Sequence, residues 1–227
     1  MPEYYKIGYM KACIFDLDGV IVDTARYHFL AWKELSEELG IPFTEHDNEL
    51  LKGVSRVRSL EIILDLSGKK LDEDTFNDCL DKKNKRFLEY IHQMTPDEVL
   101  PGVIDFLNEL KENRIKIALG SASKNARLIL TQVKMLDYFD AIVDGNSVKE
   151  AKPNPEVFLK GAAALGIEAK ECVVFEDAIA GVEAAHNGGM KVVGVGSADI
   201  LHQADYIITT FENLKLETIN FILYPII

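Results

Sequence analysis

The chain predicts an α/β fold, a Rossmann-like doubly wound parallel sheet with a small all-helical cap inserted near its start. Three features carry that prediction. Short apolar runs recur along the chain and stop at polar or acidic residues. From residue 96 onward these runs alternate with stretches of helical spacing. Between 25 and 95 the spacing is helical throughout, with no strong strand signal. Strands that alternate with helices pair in parallel, because each crossover helix packs back on the sheet. A helical block ahead of that rhythm fits as an insert in the first crossover. At 227 residues, the chain has room for one large domain or a domain with an insert. The expected division is a core of 1–24 and 96–227 and a cap of 25–95.

In chain order, 12–15 is an apolar run of the kind that makes a buried strand. Tyr27, Leu30, Ala31, Leu35 and Leu39 then recur at helical spacing, and Gly40 with Pro42 ends that helix. A turn follows at 52–55. Leu60, Ile63, Leu64 and Leu66 mark a second helix that Gly68 stops, and 76–94 reads as one or two more. Pro96 and the Pro101-Gly102 pair mark the exit from the helical block. Beyond them the expected order is helix 103–110, strand 115–119, helix 125–133 and strand 141–143. Helix 155–165, strand 172–175, helix 181–186 and strands 191–195 and 206–208 complete it. The apolar segment 221–227 is left as a tail.

Open parallel sheets bind ligands at the carboxyl ends of their strands, and acids and hydroxyls collect there. Asp16 and Asp18 follow the first strand. An extended segment turns positions i and i+2 to one side, so both carboxylates face one point. Two like charges there repel, and they persist if a cation sits between them or one stays protonated. A hard divalent cation suits two carboxylate oxygens; a solvated strand-end loop accommodates the same residues. Ser121, after the second core strand and before a helix, suits either a phosphate oxygen or the helix N-cap, a role that Ser123 or Asn125 fills equally well. Lys152 sits in a loop stiffened by Pro153 and Pro155, where a lone Lys is ordinarily solvated. Glu176 and Asp177 put two more acids at an apolar strand's end. Four acids near one point require a metal and a cation.

Net charge is −12, hydrophobic content 48% and charged content 27%. That composition is ordinary for a globular enzyme. The acidic balance argues against nucleic acid or an anionic membrane as a partner. An anionic substrate needs a local basic cluster. Cys13, Cys79 and Cys172 form no Cys-x-x-Cys pair, and they read as buried structural thiols of a reducing, cytoplasmic setting. No run has the length of a membrane span, and the first eleven residues lack an apolar signal core. A monomer is expected.

Asp16, Leu17, Asp18, Gly19, Asp23 and Thr24 resemble, position by position, the first motif of the haloacid dehalogenase superfamily, Asp-x-Asp-Gly-x-x-x-Asp-Thr/Ser. Ser121 matches its second motif, Lys152 its third, and Glu176-Asp177 its fourth, in the right order. The resemblance implies that Asp16 is the nucleophile that takes a phosphoryl group and that Asp18 is the general acid and base. It implies that Asp16, Asp18, Glu176 and Asp177 surround Mg²⁺, Asp18 through its backbone carbonyl. Lys152 and Ser121 then balance charge on the phosphoryl group.

The cap resembles that of the superfamily's sugar phosphomutases in Thr24, His28, Trp32, Leu51, Lys52, Gly53, Val54, Ser55, Arg56, Ser59, Leu60, Lys83 and Asn84. The core resembles them in Ser121, Ala122, Ser123, Lys124 and Asn125, and again over 138–142. By that resemblance, Lys52, His28 and Thr24 bear on the acid/base Asp and on cap closure. Arg56, Lys83, Ser123, Lys124 and Asn125 bear on the distal phosphate and the sugar. Trp32 also suits a plain core position on the first cap helix. Val57, Arg58 and Lys85 depart mildly from the pattern, and His46, His92, His186 and His202 match nothing in it. The reaction implied interconverts β-glucose 1-phosphate and β-glucose 6-phosphate through an aspartyl phosphate and a bisphosphate. The rival is a Mg²⁺-dependent sugar-phosphate phosphatase on the same core.

Overall fold

The computed structural model describes residues 10–51 and 54–224. Six strands form one sheet: β1 (Ala12–Phe15), β2 (Lys116–Gly120), β3 (Ala141–Val143), β4 (Cys172–Glu176), β5 (Lys191–Val195) and β6 (Tyr206–Ile208). Their order is β3-β2-β1-β4-β5-β6, and every neighbouring pair is parallel. The chain therefore winds outward in both directions from β1 and β4. That reversal makes the crevice at their carboxyl ends the expected binding place.

β1, β2 and β4 are buried along nearly their whole length, which is why they read as unbroken apolar runs. Alternate residues serve opposite faces. Cys13, Phe15, Val173 and Phe175 face a cluster built with α5 (Val103–Glu112), α6 (Ala126–Gln132) and α9 (Leu216–Leu223). Ala12, Ile14, Cys172 and Val174 face a second one, built with α7 (Glu156–Leu165) and α8 (Ile179–Asn187). Phe15 stacks on Phe175 at 4.7 Å, with Phe106 and Phe211 packed around them. This aromatic floor fixes the strand ends that carry the acids. All three cysteines are free and buried.

The helical block is α1 (Ala25–Glu38), α2 (Glu45–Glu49), α3 (Arg56–Ser67) and α4 (Glu73–Ile91). It packs around its own cluster, which includes Trp32, Leu35, Phe43, Leu60, Ile63 and Cys79. Its roots are shared with the core, since Tyr27, Ala31, Phe87 and Ile91 join the cluster under the sheet. The chain leaves and re-enters the core side by side. Leu100 N–H donates to Ile21 O at 2.9 Å, and Tyr27 Oη donates to Glu98 Oε1 at 2.6 Å.

Three elements differ from the expectation. The segment 76–94 holds one helix, α4, which ends at Ile91 and starts earlier than expected because Asp72 caps it by accepting from Thr75 N–H. α2 carries a Thr44/Asp47 capping box in place of apolar spacing. The tail begins inside α9, where Leu216, Ile219 and Leu223 are buried at helical spacing. No described helix is long and apolar enough to cross a membrane.

Candidate active site

β1 ends where Asp16 N–H donates to Phe175 O at 3.0 Å, so Asp16 leaves the sheet beside the end of β4. Glu176 is the last residue of β4 and is fully buried. Lys152 reaches between them from the loop before α7. Its Nζ lies 2.6 Å from Asp16 Oδ1 and 2.8 Å from Glu176 Oε2. The second Glu176 oxygen accepts from Ala178 N–H at 3.2 Å. Burial works against the charge on Lys152, but the two acids outweigh it and raise its pKa. Burial likewise lifts the Glu176 carboxyl, with Lys152 opposing.

Two glycines make room for the acids. Gly19 has φ +77°, and a Cβ there would lie 2.1 Å from Asp177 Oδ2. A Cβ on Gly181 would lie 2.0 Å from Glu176 Cδ. Asp16, Glu176 and Asp177 then offer oxygens within 4.8 Å of one another. The cluster is rich in acid, and Lys152 bridges two of its three carboxylates. A hard divalent cation fits that donor set.

The Asp18 carboxylate is turned elsewhere. Thr24 Oγ1 donates to its Oδ1, while Asp18 N–H donates to Asp16 Oδ2 at 3.1 Å. Burial, then the Asp16 charge, lifts Asp18 to about 6. A carboxyl held there can both take and give a proton near neutral pH. Thr24 stands at the N-cap of α1 yet makes no side-chain capping bond; its hydroxyl serves Asp18.

Asp16 and Asp18 open into a cleft of about 620 Å³ between cap and core. The cap lines it with His28, Trp32, Val54, Ser55, Arg56, Ser59 and Lys83, and the core with Ser121, Ala122, Ser123, Lys124, Asn125 and Asp177. Thr24 and Lys152 stand behind that lining and bond Asp18 and Asp16 in it, and Glu176 stands behind Lys152. Asn84 instead bonds Asn125. The expected positions Lys52 and Gly53 lie outside the described residues. Ser55 also caps α3 by accepting from Arg58 N–H at 3.3 Å. Ser121 Oγ accepts from Ser123 N–H at 3.1 Å, and Ser123 Oγ from Asn125 N–H at 3.2 Å. The serines therefore shape their own loop. His46, His92, His186 and His202 are exposed.

Lys83 is nearly fully buried and lies over the Trp32 and Phe87 rings at 5.0 and 4.4 Å. Trp32 is thus at once a core aromatic and a wall of the cleft. Lys83 Nζ is 2.8 Å from His28 Nδ1. Burial, then Lys83 and Arg56, hold His28 well below its usual pKa. Burial and Arg56 push Lys83 down as well, with Asp18 opposing.

Sequence reasoning missed Asn77, Leu80, Asp81 and Phe87 of α4 and the 148–151 loop, all of which line the cleft. The α4 residues share one helical face with Lys83 and Asn84, so extending the period from that pair would have found them. The loop carries no such signal.

Residues 10–189 match the model of the haloacid dehalogenase-like hydrolases. The chain belongs to that family. Within it, the chain is 43% identical over 213 residues to the beta-phosphoglucomutase of Bacillus subtilis, covering 93% of this chain and 94% of the relative. It is 35% identical to a phosphorylated carbohydrates phosphatase of Thermotoga maritima, covering 82% and 85%. Among solved structures, the beta-phosphoglucomutase of Clostridium difficile superposes with a TM-score of 0.91 at 40% identity, covering 94% of this chain and 97% of that one. The haloacid dehalogenase-like core accounts for the sheet order and for acids at the ends of β1 and β4.

Proposed function

We propose that this protein is a phosphomutase that interconverts β-glucose 1-phosphate and β-glucose 6-phosphate. The observation that carries the reading is the single cleft that joins an acid pair in the core to a cationic wall in the cap. The similarity to two beta-phosphoglucomutases supports it. Asp16 carries a phosphoryl group. The free hydroxyl of the sugar phosphate attacks phosphorus, the bond to Asp16 breaks, and Asp18 takes the hydroxyl proton. The bisphosphate turns around in the cleft. Asp16 attacks the other phosphate, and Asp18 returns the proton to the departing hydroxyl. Catalysis of this kind is mostly positioning and charge neutralisation.

Asp16, Glu176 and Asp177, joined by the Asp18 backbone carbonyl, would hold Mg²⁺. Bound there, the ion supplies charge neutralisation for the transferring phosphoryl group. Lys152 orients Asp16 from the other side. Arg56, Lys83 and the Ser123–Asn125 loop hold the sugar and its second phosphate. A planar guanidinium suits phosphate by giving two parallel hydrogen bonds. Thr24 orients Asp18, and His28 bears on cap closure through Lys83. Closure excludes water, which would otherwise hydrolyse the aspartyl phosphate. The reading carries with it a monomeric, cytoplasmic enzyme.

The phosphatase relative motivates the rival, hydrolysis of a sugar phosphate on the same core. One reaction separates the two. β-Glucose 1-phosphate, Mg²⁺ and a trace of bisphosphate are followed for glucose 6-phosphate and for free phosphate. The mutase reading expects the isomer to dominate; free phosphate as the main product overturns it.

A further inference from the structure

We propose that Asn84 is a latch between cap and core, a positioning residue that couples cap closure to the Ser121–Asn125 loop. The inference builds on the phosphotransfer reading above. Asn125 Nδ2 donates to Asn84 Oδ1 at 3.0 Å, joining α4 of the cap to the residue that opens α6 of the core. The position of Asn125 makes this informative. It stands at the N-cap of α6, where an Asn side chain ordinarily satisfies a backbone N–H. It makes no such bond. Its side chain is spent on the cap instead.

Further hydrogen bonds tie the loop to the core. Gly145 N–H donates to Ser123 O at 3.1 Å, and Asn146 Nδ2 donates to Lys124 O at 2.9 Å. At the far end of α6, His92 Nδ1 and Gln132 Nε2 lie 3.5 Å apart. The C-terminal half of α4 thus meets α6 at both ends of α6, and the Asn84 contact is the one beside the cleft. Asn84 follows Lys83, which lines the cleft. When the bond is made, α4 presents Lys83 to the cleft and Asn125 is drawn toward the cap. When the cap lifts, Asn125 is released to cap its own helix. Closure and the conformation of the anion-facing loop then change together.

Two measurements test this. Dyes on exposed positions of cap and core, Lys70→Cys and Glu217→Cys, report cap closure in the free protein by energy transfer. Asn84→Ala should lower the transfer, and Asn84→Asp, which keeps the acceptor oxygen, should restore at least half of it. Unchanged transfer in Asn84→Ala overturns the latch. This arm does not depend on what reaction the protein catalyses. The second arm measures isomerised sugar against free phosphate. Losing one such hydrogen bond should raise the rate of hydrolysis itself by about 3- to 10-fold. In an Asn125→Ala background, Asn84→Ala should add nothing further. Slower isomerisation with unchanged hydrolysis, or additive effects of the two variants, would make Asn84 a substrate contact and sink the latch. Wild-type protein that gives free phosphate alone would refute the mutase reading, leaving the latch to be judged on energy transfer.

Discussion

The core and cap walls of the cleft hold their charges in opposite ways. In the core wall the buried Lys152 faces acids. Lys152 bridges Asp16 and Glu176, and backbone N–H groups meet the remaining oxygens of both acids. In the cap wall the basic groups lie beside one another and aromatic rings, and the acids near them, Asp81 for Arg56 and Asp18 for Lys83, only partly offset their burial. Lys83 meets His28, Trp32 and Phe87, with Arg56 close enough to depress both bases. Burying cations without an anion costs free energy, and the falling pKa values express that cost. Lys152 partly offsets the core acids, whereas the cap wall holds its bases with less counter-charge. On the phosphomutase reading, a substrate phosphate seated there would relieve the cap.

The largest expected effect breaks the core wall. Asp16→Asn keeps shape and hydrogen bonding but removes the attacking charge. Phosphoenzyme formation should vanish, measured by trapping labelled phosphate on the protein. Retention of a tenth of wild-type turnover would end the assignment.

Lys152→Ala comes next. It leaves Asp16 and Glu176 facing each other without a cation, the costliest way to break a buried pair. Turnover should fall about 100-fold or more, the scale for a lost electrostatic group. Wild-type turnover at saturating Mg²⁺ would show that compensation in the core is dispensable.

Arg56→Ala tests the cap wall by itself. Losing a charged hydrogen-bonding partner should raise KM and slow transfer to the sugar by about 10- to 100-fold. Hydrolysis of phospho-Asp16 should stay within about twofold, because water needs no distal phosphate. Arg56→Lys should recover part of the loss. Equal slowing of both products would mean that Arg56 supports the core site, and the contrast between the walls would collapse.

The smallest effect is on stability. His28 is held neutral by burial and by Lys83 and Arg56, with its folded pKa depressed. Only the unfolded chain takes up that proton just below a pH of about 6.5. Stability linked to His28 is therefore present above that pH and is lost as pH falls toward the folded pKa. The slope is at most about 1.4 kcal/mol per pH unit. His28→Gln should flatten the fall in denaturation midpoint between pH 7 and 5. An unchanged slope would show that His28 titrates normally.

The sequence by itself determined what is local. The apolar runs named every described strand within a residue or so, since a strand buried on both faces must be apolar throughout. The acids were legible because they stop such runs, and i, i+2 spacing sends Asp16 and Asp18 to one end of β1. Helical period located the cap, though α2 escaped it because a capping box, with no apolar face, holds that short helix. The tail hid α9 because Phe221 and Ile222 lie exposed between buried positions.

Tertiary structure alone decided the partners. Asn125 reads as a helix cap, and no sequence spacing points its side chain to Asn84. Only the fold brings the two together. The same holds for Lys83 with His28, far apart in sequence and joined because α1 and α4 pack side by side. It holds for Gly181 too, whose missing side chain is space for Glu176. A hydrogen bond or a close approach depends on distance in space. Sequence spacing encodes that distance within one strand or helix and loses it across the chain.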